Sequence, residues 1–270
     1  MSENLPKFDN PPVVEAVLGV QFAPLPGFSS AHAGWFWRER LGTDWPTVTE
    51  ARPVPDAFER FGEEQEWDFR RVLIKPAEPL LRSQFINADE ERMVQVQNTR
   101  LHYNWRKRES DYPSYQNSIT AFEATWESFR EFCLGAGLGS PEPNQWEVTY
   151  INHVEKGELW STAEDWCKVA PKASTPLCAC DDMQLEDSEI KLRLNIGENV
   201  GRLHIWGERV RVGGVDGPEV MRLTLTARGS LSKGGDMTIR RGLDIGHSAI
   251  VRAFTDITSD AAHQYWRRRQ

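Results

Sequence analysis

Residues 93–107 read MVQVQNTRLHYNWRK, and the fold prediction starts from their pattern of apolar and polar residues. Val94 and Val96 alternate with glutamines, which is the two-residue period of a half-buried β-strand. At Asn98 and Thr99 the alternation slips by one residue, so the stretch contains a bulge or a tight bend there. Beyond that point the apolar residues resume in the opposite phase. Four polar residues between them are therefore expected to share one face of the same strand: Arg100, His102, Asn104 and Arg106.

The composition predicts a globular protein with a large core. Of its 270 residues 39% are hydrophobic, and 12 Phe and 11 Trp are available for packing. The net charge of −8 argues against broad electrostatic binding to nucleic acid or to an anionic membrane. Residues 1–12 lack the apolar stretch of a secretory signal, and no run approaches the roughly 18 apolar residues that a membrane span needs. We therefore expect a cytoplasmic protein that makes no membrane contact.

The cysteines are too few for a disulfide framework in a chain of this length: Cys133, Cys167, Cys178 and Cys180. Cys178 and Cys180 come closest to a metal-binding spacing, but a zinc site usually combines a C-x-x-C pair with a second pair. We therefore predict no metal centre and no cofactor.

The two halves of the chain repeat one order of predicted elements. Residues 1–140 read as a strand, a short helix, several antiparallel strands and a long helix, and residues 141–270 read in the same order. We therefore predict an α+β fold made of a duplicated unit, with the two halves packed as one compact body. Joined edge to edge, the halves would form one continuous curved sheet with helices on one face. In element order this arrangement resembles the saddle of the TATA-binding-protein-like fold, which implies no function.

Single residues refine this outline. Asn117 or Ser118 is expected to begin the long helix of the first half, and Asp244 to begin the last helix. Glu15 interrupts an apolar strand, so it is either a solvent-facing or edge residue or a buried partner of an arginine. Residues 67–76 are interpreted as a further strand.

Motifs along nearly the whole chain resemble those of a sporadically distributed bacterial family that has no established activity. They are Pro11–Ala16 (PPVVEA), His32–Trp37 (HAGWFW), Gln95–Arg106 (QVQNTRLHYNWR), Glu147–His153 (EVTYINH), Gly201–His204 (GRLH), Leu225–Gly229 (LTARG) and Leu243–Arg268, which begins LDIGH. The scattered occurrence of that family implies mobile or defence-related loci. By this resemblance, the chain would be an accessory or regulatory component of a defence or toxin–antitoxin-like locus.

The four polar residues named at the start are the leading candidates for a binding surface. Arginine supplies paired donors for a phosphate or a carboxylate, so the surface would suit a partner protein or a small anionic ligand. The alternative is a solvated face, or pairing with acids such as Glu15 and Glu147. Five further candidates would extend the surface if the sheet is continuous: Trp105, Asn152, His153, His204 and Arg228.

Asp244 and His247 are the candidate catalytic pair. They lie three residues apart at the expected start of a helix, so a carboxylate can orient an imidazole for acid–base chemistry. Arg106 or Arg228 would then bind an anionic substrate. The alternative is that Asp244 caps the helix and His247 bonds within its first turn. A weaker alternative adds His263 as a third ligand of a metal ion.

Known catalytic motifs are missing from the sequence: there is no G-x-S-x-G, P-loop, G-x-G-x-x-G or H-E-x-x-H. We therefore rank a non-enzymatic binding or interaction protein first. A small-molecule enzyme that uses Asp244 and His247 is second. Nucleic-acid binding through a sheet surface is third, because the chain is acidic.

Overall fold

The computed structural model describes residues 5–59, 61, 81–174, 185–231 and 235–269. The strands are β1 (Lys7–Phe8), β2 (Val13–Phe22), β3 (Thr47–Ala51), β4 (Arg82–Ile86), β5 (Arg92–Gln97), β6 (Arg100–Arg106), β7 (Pro143–Glu155), β8 (Ile190–Ile196), β9 (Gly201–Arg211), β10 (Glu219–Ser230) and β11 (Arg268–Arg269). The α-helices are α1 (Ser30–Phe36), α2 (Tyr115–Gly135), α3 (Trp166–Val169), α4 (Ile239–Ile257) and α5 (Asp260–Tyr265). A π-helical turn, Trp37–Leu41, follows α1.

Nine of these strands form one open antiparallel sheet in the order β3-β4-β5-β6-β2-β7-β10-β9-β8. The strands that open the two halves of this sheet, β2 and β7, lie side by side at its centre. The strand that closes each half pairs with the one that opens it, β6 with β2 and β10 with β7. β1 and β11 form a separate two-stranded sheet. The predicted α+β class is confirmed, whereas the duplication and the saddle-like order stay predictions.

Residues 93–106, which were expected to form one strand, form a hairpin of two strands. β5 ends at Gln97, β6 begins at Arg100, and these two residues pair directly. The expected bend at Asn98 and Thr99 is a full reversal of the chain, so the expectation that one strand continues beyond it was wrong. Directly paired residues of adjacent strands lie on the same face. The hairpin therefore places the glutamines of β5 beside the polar residues of β6.

The two long helices, α2 and α4, pack against the same face of the sheet. Phe22 on β2 contacts Phe129 of α2, with ring centroids 5.8 Å apart. Val20, on the same side of β2 as Phe22, pairs directly with Trp146 of β7, whose indole lies against Gly242 of α4. Both helices therefore bury their apolar sides on this face, which leaves the opposite face of the sheet to the polar side chains.

Both helices begin earlier than we expected. The cap of α2 is Ser114, whose hydroxyl accepts a hydrogen bond from the N–H of Asn117. The cap of α4 is Thr238, whose hydroxyl accepts from the N–H of Arg241 at 3.1 Å. The prediction that Asp244 begins the last helix was therefore wrong, because Asp244 lies within the second turn of α4.

Trp146 packs between the sheet and α4. Its indole is fully buried, and four glycines surround it. A Cβ atom on Gly242 would lie 2.3 Å from its Cδ1, and one on Gly246 would lie 2.8 Å from its Cζ3. From the strands, a Cβ atom on Gly201 or Gly229 would lie 2.8 or 2.6 Å from Cζ2. Such distances are too short for carbon atoms, so only glycine lets the helix and strands approach the ring this closely.

Some predictions concern residues outside the described ranges. The strand expected at 67–76 and the pair Cys178 and Cys180 are among these. Within the described part of the chain, no helix combines the length and apolar character needed to cross a membrane.

Candidate functional site

The face of the sheet opposite α2 and α4 carries polar side chains from at least six strands, and we call it the polar face. It includes Glu15 and Gln21 of β2, Gln95 and Gln97 of β5, Arg100, His102, Asn104 and Arg106 of β6, Gln145 and Glu147 of β7, Arg202 and His204 of β9, and Arg228 of β10. Seven of these polar side chains are buried: Gln21, Gln95, Gln97, Arg100, His102, Asn104 and Gln145. Burial of so many polar groups is costly unless they are hydrogen-bonded, so their partners are informative.

A chain of hydrogen bonds crosses the first half of this face. Asn104 donates to Glu15 at 2.5 Å, and Gln95 donates to Asn104 at 2.8 Å. Gln84 donates to Gln95 at 3.0 Å, and Thr49 to Gln84 at 3.1 Å. This series of hydrogen bonds joins five neighbouring strands, from β2 to β3. Glu15 therefore lies on a central strand and bonds to an amide, so it is not an edge residue.

Arg100, which is buried, and Glu147, which is partly buried, form an ion pair at the centre of the face, with Nη1 and Oε2 3.3 Å apart. The same Glu147 oxygen lies 3.6 Å from Nη1 of Arg228. Arg100 also donates to Gln21 at 2.6 Å and to the carbonyl of Pro55 at 3.0 Å. Next to the pair, burial lowers the pKa of His102 to about 4, although the charge of Glu147 opposes that shift. The imidazole fits there because Gly19 lies beneath it: a Cβ at that position would lie 2.5 Å from His102 Cδ2.

Residues 52–59, which we call the strap, lie across the end of the polar face. The amide of Gln97 bonds to both the N–H and the carbonyl of Val54, each at 3.0 Å. Gln21 accepts from the N–H of Ala57 at 3.1 Å. Gln145 accepts from the N–H of Glu59 at 3.2 Å and donates to the carbonyl of Ala57 at 2.5 Å. Side-chain amides on three strands therefore bind the main chain of an extended segment.

The strap ends in a carboxylate held by three basic side chains of β9 and β10: Arg202, His204 and Arg228, which we call the clamp. Arg202 Nη1 lies 2.5 Å from Oε2 of Glu59, while His204 Nε2 and Arg228 Nε each lie 2.7 Å from Oε1. Burial alone would raise the pKa of this carboxyl. Hydrogen bonds from His204 and Arg228, together with their charges, outweigh burial and lower the pKa of Glu59 to about 2.

Two predicted site residues lie on the helix-covered face instead. Trp105 packs against Tyr112, with ring centroids 5.1 Å apart. Neighbouring residues of a strand point to opposite faces, so Trp105 points away from the polar face on which Asn104 lies. Asn152 donates to the carbonyl of Leu223 at 3.0 Å. Neither side chain can join the binding surface, so both of those predictions are corrected.

Other predicted residues lie on the polar face with separate surroundings. Arg106 donates to the carbonyl of Glu90 at 2.8 Å. His153 is on the same face, six residues beyond Glu147 of β7, and burial lowers its pKa. His204 and Arg228 belong to the clamp. The continuous sheet therefore does bring residues of the second half onto the surface that the sequence indicated in the first half.

Sequence reasoning missed the strap and several of the side chains that hold it. The signal for Arg202 was present, because it alternates with His204 in a strand and must share its face. Glu59 offered no such signal, since it lies 143 residues before Arg202 in the chain. The glutamines Gln21 and Gln145 were each read as ordinary strand residues.

Asp244 and His247 do not form the expected acid–base pair. Asp244 accepts hydrogen bonds from the Tyr115 hydroxyl at 2.8 Å and from Arg240 Nε at 3.1 Å. His247 instead shares a hydrogen bond of 2.8 Å with the hydroxyl of Tyr150, which therefore orients the imidazole. Tyr115 stacks on the His247 ring at 3.9 Å. Each residue has partners that fix it in the fold, so the geometry does not favour the catalytic interpretation.

The three-ligand metal alternative also lacks support. His263 is buried and shares hydrogen bonds with the Thr258 hydroxyl at 2.9 Å and with Arg268 at 3.2 Å. Across the described ranges, no group of three or more His, Cys, Asp or Glu side chains is arranged to hold a metal ion.

His247 is expected to make the protein less stable in mild acid. Burial lowers its pKa from 6.5 to about 4, so the unfolded chain takes up a proton between these pH values before the folded protein does. Stability is therefore complete above pH 6.5 and is lost as the pH falls towards 4. Urea unfolding at pH 7 and 4.5 should show a loss that is roughly 2 kcal/mol smaller in His247→Asn, whose amide can still bond to Tyr150. Parallel pH curves for the two proteins would contradict this assignment.

No family model matches the chain, and neither the curated proteins nor the solved structures contain a significant match to it, so the interpretation of the polar face rests on its own geometry.

Proposed function

We propose that the protein is a non-enzymatic binding protein that holds an extended segment of a partner protein on its polar face. One observation carries this proposal: the face already holds an extended segment of its own chain, the strap. Gln21, Gln97 and Gln145 bind the main chain of the strap and not its side chains. Such contacts suit any extended polypeptide, because every residue except proline offers the same N–H and carbonyl groups.

Unused hydrogen-bonding capacity on the polar face supports the same proposal. In the described part of the chain, the Nε of Arg100 and the Nε2 of His102 are buried and have no hydrogen-bond partner. The distance of 3.8 Å between His102 Nε2 and Glu147 Oε1 is too long for a hydrogen bond. Because both atoms are buried, acceptors of a partner segment would reach them only in molecules whose strap has been displaced. The acidic net charge disfavours a nucleic acid as that partner.

The resemblance to the sporadic bacterial family supports an accessory or regulatory role for this binding. In such a role the protein would bind another component of the same locus, and no chemistry of its own is needed. A defence or toxin–antitoxin-like locus is the setting that the resemblance implies.

Site-specific photo-cross-linking in the native host tests this function. A photoreactive amino acid replaces Trp206, which is 50% exposed and lies on the polar face two residues from His204. The matched control replaces Leu134, which is 56% exposed and lies in the last turn of α2 on the helix side. We expect one extended segment of one partner to cross-link from position 206 and not from position 134. Capture of that partner from position 134 alone, or of nothing from position 206, would refute the proposal.

A further inference from the structure

We infer that the clamp is a carboxylate-binding site for a glutamate side chain of the partner segment, and that Glu59 fills it within the chain. The inference rests on the proposed function and names the chemistry of the partner: an extended segment with an acidic residue placed as Glu59 is in the strap. The clamp lies on β9 and β10, and two of its residues, His204 and Arg228, were among the predicted extensions of the binding surface; Arg202 is the addition.

The pairing of two arginines shows that the clamp is built around an anion. Arg202 and Arg228 lie directly opposite each other on neighbouring strands. Like charges at directly opposed positions destabilise a sheet, unless an anion between them offsets the repulsion. The carboxylate of Glu59 lies between them and bonds to each arginine through a different oxygen. Glu147 is the other nearby acid, but it lies 3.6 Å from Arg228 Nη1, against 2.7 Å or less for the bonds to Glu59. Its buried location, with only 8% of the residue exposed, strengthens both charge-assisted bonds.

The occupant of the clamp can be exchanged without breaking the sheet. Among the described residues, the main chain of the strap has no backbone–backbone hydrogen bond to any strand, and side chains of the sheet hold it. The outward side of the strap is exposed, and Phe58 is one of the exposed large apolar residues. A partner segment can therefore replace the strap contact by contact, while every strand of the sheet keeps its neighbours.

Competition between the two carboxylates sets the affinity for a partner. Glu59 is covalently tethered beside the clamp, so its effective concentration there is high. A partner in solution binds only in the fraction of molecules in which the clamp is open, and its observed affinity falls in proportion. Removal of the Glu59 carboxylate is therefore expected to tighten the binding of an acidic segment.

Fluorescence anisotropy with labelled peptides tests this inference at pH 7. The probe is the strap sequence RPVPDAFE, residues 52–59, and its matched control is RPVPDAFQ. The receptors are the full wild-type chain, Glu59→Ala, and the double variant Glu59→Ala/Arg228→Gln. Loss of a charge-assisted hydrogen bond costs about tenfold in affinity or more. We therefore expect Glu59→Ala to bind RPVPDAFE at least about tenfold tighter than wild type does, and at least about tenfold tighter than it binds RPVPDAFQ. The double variant should lose most of the second difference.

The alternative outcomes separate the clamp from the proposed function. Equal binding of both peptides to Glu59→Ala would overturn the carboxylate site and leave main-chain recognition on the polar face standing. Binding of neither peptide would also overturn it, and the cross-link from position 206 then decides the proposed function by itself. Near-UV circular dichroism shows whether Glu59→Ala is folded; if it is not, the isosteric Glu59→Gln takes its place under the same criteria.

Discussion

Trp146→Ala is expected to lower the free energy of unfolding by about 3 to 5 kcal/mol, as large-to-small substitutions of buried aromatic residues do. The indole is fully buried, and the four glycines around it have no side chains to fill the space that it occupies. The cavity would therefore persist between β7 and α4. Urea unfolding followed by far-UV circular dichroism at pH 7 measures the loss.

Trp206→Ala is the matched control, because Trp206 lies on the same sheet but is half exposed. We expect it to cost roughly 1 to 2 kcal/mol, since only about half of the Trp206 side chain is removed from water and its loss leaves no enclosed cavity. Similar losses for the two variants would contradict the claim that the buried packing of Trp146 between β7 and α4 stabilises the fold. Gly242→Ala should also destabilise, because its Cβ would lie 2.3 Å from the ring.

Arg100→Met is the second substitution expected to have a large effect, a loss of about 3 kcal/mol, because it removes a buried charged partner of Glu147 and leaves that carboxylate only the longer pair with Arg228 Nη1 at 3.6 Å. Arg100 is 3% exposed and bonds to Glu147, Gln21 and the carbonyl of Pro55. Methionine keeps the apolar length of the side chain but binds none of these groups. Urea unfolding at pH 7 again measures the change.

Two further variants separate the buried pair from a general effect of charge. Arg108→Met removes an exposed arginine that pairs with Glu90, and such surface pairs contribute less than about 1 kcal/mol. In Arg100→Met/Glu147→Gln the carboxylate that lost its Arg100 partner is gone, so part of the lost stability should return. A double variant no more stable than Arg100→Met would show that the carboxylate is not the source of the loss.

Several of the motifs quoted from the sequence have one of two structural roles. Gly201, Gly229 and Gly246 come from three different motifs, and all three lie against the indole of Trp146. Arg100 and Glu147 come from two others and meet at the centre of the polar face. Packing around one indole and a buried polar network thus account for motifs far apart in the sequence.

Local periodicity predicted most of the fold. The α+β class, the antiparallel sheet and the shared face of Arg100, His102 and Asn104 follow from patterns within a few residues. The same alternation could have excluded Trp105 from the binding surface. By contrast, the reversal at Asn98 and Thr99 gives the same phase shift as a bulge, so the pattern alone does not distinguish them.

The binding surface was less predictable because its contacts are long-range. The strap has no periodic pattern, and its partners lie on strands up to 169 residues away. The pair Asp244 and His247 looked catalytic because spacing alone says nothing about competing partners. Tyr115 and Tyr150, which bond to these two residues, come from distant parts of the chain.

The location of the partner's cross-links on this protein tests directly whether the polar face binds an extended segment. We expect one extended partner segment to cross-link from position 206 on the polar face, more strongly in Glu59→Ala than in wild type, and position 134 to capture nothing of it. Equal capture from both positions, or capture from position 134 alone, would show that the partner binds elsewhere.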